Sequence, residues 1–538
     1  MSGYSTSMTL EEQIGQLLVV GFWGTTPSAE IIDLIRNYHI GGIILFSRNI
    51  QNAQQVLGLT HSLQMIAKTA GHSVPLLIAI DQENGMIQRL GRGTTLFPGN
   101  MALGAIGSEQ VAYNVAQATG RELKALGINM NLAPVADVNN NPANPVIGVR
   151  SFGEDPRQVA RLAAASVKGY RAAGVISDLK HFPGHGDTAV DSHLALPTIS
   201  STLEQLEAIE LVPFKNGIEA GADSVMIAHI SFPDLTHQVA LPATVSPAIV
   251  RGLLREQLGF DGVIISDCME MNAVAETIGT ERAAVMALRA GADLVLVSHT
   301  YARQRGSIEA IQLALQAGDL PPEVVHRAAE RVLRLKDRFL SWDNLPTAPA
   351  PAWVGGPSHR HLRDQAYELS TTLVRNDEAL LPLRLDQAEH VLVISPRGKA
   401  YTSAEDRRYP HEFLAQSIRR RHDRVSAMFT SPSLTAGERE EMLRTAAASD
   451  LIIMATLNAH LDRLQAELMR DLLQTGRRVI DIAVGNPYDL LAFPELRSYL
   501  VTYEYTRPAL AAAVRVLFGE IRPIGHLPVS LPGLYPAQ

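Results

Sequence analysis

VISDLKHF (175–182), DSVMIAHI (223–230) and GVIISD (262–267) set the architecture of the chain. Each is a short, non-alternating run of branched apolar residues that closes on polar ones. That is the pattern of a parallel strand buried on both faces. Working outward, five more such runs share the first 340 residues: QLLVVGF (16–22), GGIILF (41–46), PLLIAID (75–81), NMNLAPVADV (129–138) and ADLVLVS (292–298). Helical patterns lie between them. PRQVARLAAASVKGYRAAG (156–174) opens on a proline and closes on a glycine, the usual asymmetry of helix ends. TLEQLEAIELVPFKNGIEAG (202–221) reads as one helix closing at Gly221, with Leu203, Leu206, Ile209 and Phe214 near one face.

Eight strand–helix units in this length predict a (β/α)8 barrel of the TIM type, with a doubly wound open sheet as the competing arrangement. The barrel is favoured because polar residues recur at the strand ends: Asp81, Asp137, Lys180, His181, His229, Asp267 and Ser298-His299. In a barrel those ends meet at one face, which carries the active site. Residues 1–342 are therefore read as the catalytic barrel. DNLPTAPAPAWVGGPSHR (343–360), broken by four prolines and a Gly-Gly pair, reads as a linker. Residues 361–538 resume the alternation at 390–396, 424–429, 450–457, 478–485 and 498–505, which predicts a smaller C-terminal α/β domain with a mainly parallel sheet.

Composition narrows the function. The 538 residues contain 46% hydrophobic and 19% charged side chains, so the chain can bury a large core. A net charge of -8 gives no basic excess for nucleic acid. No apolar run reaches the ~18 residues of a spanning helix, and the N-terminus lacks the basic start of a secretory signal. One cysteine, Cys268, excludes an internal disulfide and a cysteine-based zinc site. The expectation is a soluble cytoplasmic protein acting on a small molecule without a cofactor, with homodimerisation possible.

The densest polar segment is KHFPGHGDTAVDSH (180–193), with three histidines and two aspartates in 14 residues. Pro183, Gly184 and Gly186 make it a loop over the barrel mouth. Three uses stay open on composition alone. Asp191 could orient His193 as a proton-transfer dyad, since histidine titrates near neutrality. The histidines and aspartates could hold a metal. Or they could brace the loop. Asp267, ending its strand, suits a nucleophile, a base or a metal ligand, and equally a helix cap. Cys268 reads as a small buried hydrophobe. Asp81 could accept sugar hydroxyls or cap a turn, and Arg150 could recognise oxygen atoms or pair with Glu154 or Asp155.

IDQENGMIQRL (80–90), FPGNMALGA (97–105), GINMNLAPVADV (127–138), VRSFGEDP (149–156), KHFPGHGDTAVDSH (180–193), SVMIAHISFP (224–233) and FDGVIISDCMEMNAV (260–274) together resemble glycoside hydrolase family 3. Within it they resemble the β-N-acetylglucosaminidase branch. The likeness spans nearly all of residues 8–342 and continues more weakly in STTLVRNDEALLPL (370–383) and GHLPVSLP (525–532). The resemblance implies Asp267 as nucleophile, His193 as general acid/base and Asp191 as its orienting partner. It implies Asp81, Arg150, Lys180 and His181 as contacts to the terminal sugar, with Arg89 and His229 as weaker candidates for the same shell. It implies retaining hydrolysis of terminal β-linked N-acetylglucosamine from muropeptides or chitin oligosaccharides, with no metal. The carried alternatives are phosphorolysis at the same site, a metal-dependent hydrolase using the His/Asp loop, and an inactive sugar-binding protein. The chain departs from the family's common Asp-Gln-Glu-Gly-Gly-Arg at Asn84-Gly85-Met86, where an arginine is missing on the leaving-group side.

Overall fold

The computed structural model describes residues 8–188, 192, 195–397, 405 and 409–538. Eight strands close a parallel barrel: β1 (Leu18–Val20), β2 (Gly42–Leu45), β3 (Leu77–Ile80), β4 (Met130–Asn131), β5 (Ile176–Phe182), β6 (Ser224–Ile227), β7 (Val263–Cys268) and β8 (Leu294–Val297). Each pairs with its neighbours in chain order, and β8 returns to β1. All eight apolar runs form the expected strands. Their side chains and the inner faces of the surrounding helices make one continuous core.

The helix at Pro156–Ala173 forms as read, with Asp155 as N-cap and Gly174 left-handed at its end. The stretch 202–221 does not form one helix. It splits into Leu203–Ala208 and Leu211–Glu219. Pro213 is the cause: it has no N–H to donate four residues back, and its ring clashes with the carbonyl of Ile209. The break sets Glu210 beneath the 183–186 loop, where it accepts a bond from Asn140 (3.1 Å) and packs beside Gly184.

The second domain adds β9 (Thr372–Asn376), β10 (Val391–Pro396), β11 (Val425–Thr430), β12 (Leu451–Thr456), β13 (Arg478–Ala483) and β14 (Ser498–Val501), in the order β9-β14-β13-β12-β10-β11. Five strands are parallel, and β9 is an added antiparallel edge on β14. Its charged and half-exposed residues kept it from reading as a buried run. Alternate residues of β10 and β12 face two separate apolar layers. One layer takes in Met101, Ala102, Ala105 and Val149 of the barrel, so the domains share a core. Polar bonds reinforce the seam: Asn139 donates to the Tyr488 hydroxyl (2.8 Å), and Gly99 N–H and the Tyr367 hydroxyl both donate to Glu504. The order places β10 between β11 and β12, so the loops leaving β10 and β12 diverge at a switch point.

Lys336 lies fully buried in the helix Pro322–Phe339, and its Nζ donates to Gln16 Oε1 (2.6 Å). Burial pushes its pKa down to about 7. The unfolded chain takes up this proton near 10.5, whereas the folded chain does so only near 7, so this residue costs stability progressively as pH falls between those values. Lys336→Met is expected to gain in melting temperature over the parent as pH is lowered from about 9.5 to about 7, with the gap constant below. Thermal melts across that range check it; a pH-independent gap contradicts the buried neutral amine.

Candidate active site

The strand ends converge on a cavity of ≈ 390 Å³ at the barrel mouth, lined by Asp81, Glu83, Arg89, Arg150, Lys180, His181 and Asp267, among others. Six of the sequence candidates thus meet in one place. After β3 the chain reverses in a small hairpin, Gln82–Asn84 against Ile87–Gln88, with Asn84 and Gly85 both at positive φ (70° and 62°). The Asn-Gly pair is the sequence signal for such a turn. It swings Glu83 back into the cavity.

Glu83 and Lys180 organise the floor. Lys180 Nζ sits 2.7 Å from both Asp81 Oδ1 and Glu83 Oε1. Arg150 grips Glu83 with a two-pronged contact, Nε to Oε2 at 2.9 Å and Nη2 to Oε1 at 2.8 Å. The pairing of Arg150 with Glu154 or Asp155 does not form. Glu154 accepts instead from Ser530 of the second domain, and Asp155 caps a helix. Arg89 stands 3.6 Å from Asp81.

Burial alone would push the Glu83 and Asp81 carboxyls up. The cations beside them, Arg150 and Lys180 for Glu83, and Lys180 and Arg89 for Asp81, outweigh it and hold both below the usual range. The same pairs raise Lys180 and Arg150 against burial. Both carboxylates stay charged at neutral pH.

His181 extends the network. Its Nδ1 lies 2.7 Å from Asp137 Oδ2 and its Nε2 3.2 Å from Arg150 Nη2. A guanidinium only donates, so Nε2 must accept and the proton sits on Nδ1. Asp137 also accepts the backbone N–H of His185 (2.8 Å). Burial, and next His181, push His185 down to about 4, so it stays neutral. Asn144 clamps this loop, donating to the carbonyls of His185 (2.9 Å) and Gly186 (2.8 Å). Among the described residues no group of three or more His, Cys, Asp or Glu is arranged to hold a metal.

Asp267 ends β7 half-buried on the cavity wall, its Oδ1 accepting the N–H of Cys268 (2.7 Å). It does not cap the next helix, which begins at Asn272 behind Met271. Burial pushes the Cys268 thiol up to about 11, so it remains protonated. Asp191 and His193, the other two candidate catalytic residues, lie outside the described residues. His229 does not join the cavity lining. It is fully buried, with Nδ1 2.6 Å from Thr244 Oγ1 and Nε2 2.9 Å from the Cys268 carbonyl. The second contact braces the end of β7.

Sequence reasoning missed several lining residues. Trp23, Phe46 and Arg48 come from the β1 and β2 ends, which carry no dense polar motif. Glu405 comes from the loop after β10, in the domain expected to lack chemistry, and no local pattern marked it. Glu405 also lines a neighbouring cleft of ≈ 700 Å³ between the 85–92 hairpin and the strand ends of the second sheet. Met86, the departure noted above, lies in that cleft.

Comparison with known proteins agrees with this arrangement. The model of the glycosyl hydrolase family 3 N-terminal domain matches residues 9–335, and that of the family's C-terminal domain matches residues 371–534. The chain belongs to glycosyl hydrolase family 3. It is a glycoside hydrolase. It is 35% identical to beta-hexosaminidase A of Pseudoalteromonas piscicida, over 94% of this chain and 92% of that one. The fold matches a β-N-acetylglucosaminidase from a Paenibacillus species with a TM-score of 0.92 and 39% identity, over 98% of this chain and 99% of that one. A fungal multi-domain β-N-acetylglucosaminidase matches with a TM-score of 0.93 and 44% identity over 98% of this chain, which spans only 62% of the fungal protein. Among the described residues, no helix of this hydrolase is long and apolar enough to cross a membrane.

Glu83→Gln keeps the shape of the floor but leaves Lys180 and Arg150 buried with one full carboxylate fewer. Breaking a buried pair in this way is expected to cost about 3 kcal/mol of stability, read from denaturant unfolding at pH 7. A loss below about 0.5 kcal/mol would mean that the network is not held together by charge.

Proposed function

We propose that this chain is a retaining, exo-acting β-N-acetylglucosaminidase that removes terminal β-linked N-acetylglucosamine from muropeptides or chitin oligosaccharides in the cytoplasm. The printed activities of the full-length relatives support the sugar. The single cysteine fits a reducing compartment. The observation that carries the chemistry is the position of Asp267, a carboxylate on the cavity wall that also holds Asp81, Lys180, Arg150 and His181.

In this reading the charged floor binds the terminal sugar. Asp81 accepts hydroxyl hydrogen bonds, while Arg150 and Lys180 donate. Glu83 is committed to its two cations and serves to fix them. The Asp267 carboxylate then attacks the anomeric carbon. The bond from that carbon to the leaving oxygen breaks, and the oxygen takes a proton from His193, which Asp191 orients. In the second half, neutral His193 removes a proton from water, whose oxygen displaces Asp267 and regenerates the carboxylate. Net configuration is retained. A histidine acid/base carries no negative charge to repel an anion, so phosphate is the one competing acceptor with a physical argument behind it.

Asp267→Ala is expected to abolish turnover while substrate still binds. His193→Ala is expected to lose far more activity on alkyl or sugar leaving groups than on p-nitrophenolate, because only the poor leaving groups need a proton. Steady-state kinetics on both substrate types check this. Equal losses on both would remove His193 from the acid role. Release of sugar 1-phosphate in phosphate buffer would replace hydrolysis by phosphorolysis.

A further inference from the structure

Trp23 is a large aromatic residue with 67% of its surface exposed, on the chain segment leaving β1. Exposed tryptophans occur without purpose on many surfaces. This one lines the same cavity as Asp267. It is also held in place. The Arg48 guanidinium lies 4.7 Å from the Trp23 ring centre and 4.2 Å from that of Phe46. Arg48 is itself pinned by three bonds: Nε to the Phe22 carbonyl (2.9 Å), Nη2 to the Ser298 carbonyl (2.7 Å) and Nη1 to His299 Nδ1 (3.1 Å). The ends of β1, β2 and β8 thus converge on one cation whose role is to hold an aromatic ring steady at the rim.

The location sets what the ring meets. The hydrogen-bonding floor is deeply buried and comes from β3, the β4 loop and β5. Trp23 follows β1, two strands from Asp267 by way of β8 and two from Asp81 by way of β2, and is open to solvent. A terminal sugar bound to the floor leaves its neighbour at the rim. The C–H face of a pyranose is apolar, and an aromatic ring fixed on one side by a cation offers its other surface to such a face.

Resting on the glycosidase reading above, we propose that Trp23 is a specificity-determining residue: the platform on which the sugar on the leaving-group side of the scissile bond stacks. It selects substrates whose leaving group is itself a sugar ring over those with small leaving groups. The ring surface recognises shape and not charge, so it serves a neutral or an acidic second sugar alike.

Two measurements test this. The first is kcat/KM of Trp23→Ala and Trp23→Phe on chitobiose, which has a second sugar, and on N-acetylglucosaminyl β-fluoride, which has none. The loss in the alanine variant on chitobiose is expected to exceed its loss on the fluoride by about tenfold, with phenylalanine recovering part of it. Equal losses on both substrates overturn the proposal. The second is titration of tryptophan fluorescence in the full chain carrying Asp267→Ala, with N-acetylglucosamine and with chitobiose. A change specific to chitobiose that disappears in the Trp23→Phe background supports the platform, and its persistence there overturns it. A parent protein inactive on both substrates would sink the glycosidase reading, while the titration still decides whether Trp23 meets the second sugar.

Discussion

One lysine carries the site. Lys180 is buried between two carboxylates that follow β3, two strands away around the barrel, and its ammonium is what lets Asp81 and Glu83 lie in one cavity. Two carboxylates that close would repel, and burial would protonate at least one. With Lys180 between them, and Arg150 and Arg89 beside them, three cations answer the three anions Asp81, Glu83 and Asp137, the last of which also meets His181. The result is a floor of fixed polarity with little to rearrange when a polar ligand arrives.

That balance explains the local design of the barrel. The hairpin after β3 exists to return Glu83 to the cavity, and its Asn-Gly turn is what makes so sharp a reversal possible. Asp137 reaches His181 and the backbone of His185 together, so the segment following β4 sets both the tautomer of one histidine and the path of the loop that continues toward residue 188. Asn144 ties that loop to the segment bearing Arg150. The charged floor and the loop are thereby joined in one hydrogen-bonded network.

The barrel was legible from sequence because each strand is short, apolar and capped by polar residues, a pattern that a parallel barrel imposes on every unit. The six lining candidates from Asp81 to Asp267 were legible for the same reason. What escaped had no periodic or motif signature. Pro213 was visible, yet the apolar spacing around it suggested a continuous helix. The strand at 372–376 is a half-exposed edge that carries charge. His229 sits at a strand end like the lining candidates, but its contacts to Thr244, fifteen residues away, and to the Cys268 carbonyl carry no local signal in the sequence. Trp23 and Glu405 are ordinary residues in unremarkable loops; only closure of the barrel and docking of the second domain bring them to the cavity.

The shared core between the domains has a further consequence. Met101, Ala102, Ala105 and Val149 of the barrel are packed among Tyr488, Leu527 and Val529. A seam of this kind behaves as interior, where even one added methylene is felt. The second sheet therefore cannot shift independently of the barrel face it packs on. An enlarged side chain on either side of the seam has to be accommodated by the other domain as well as by its own.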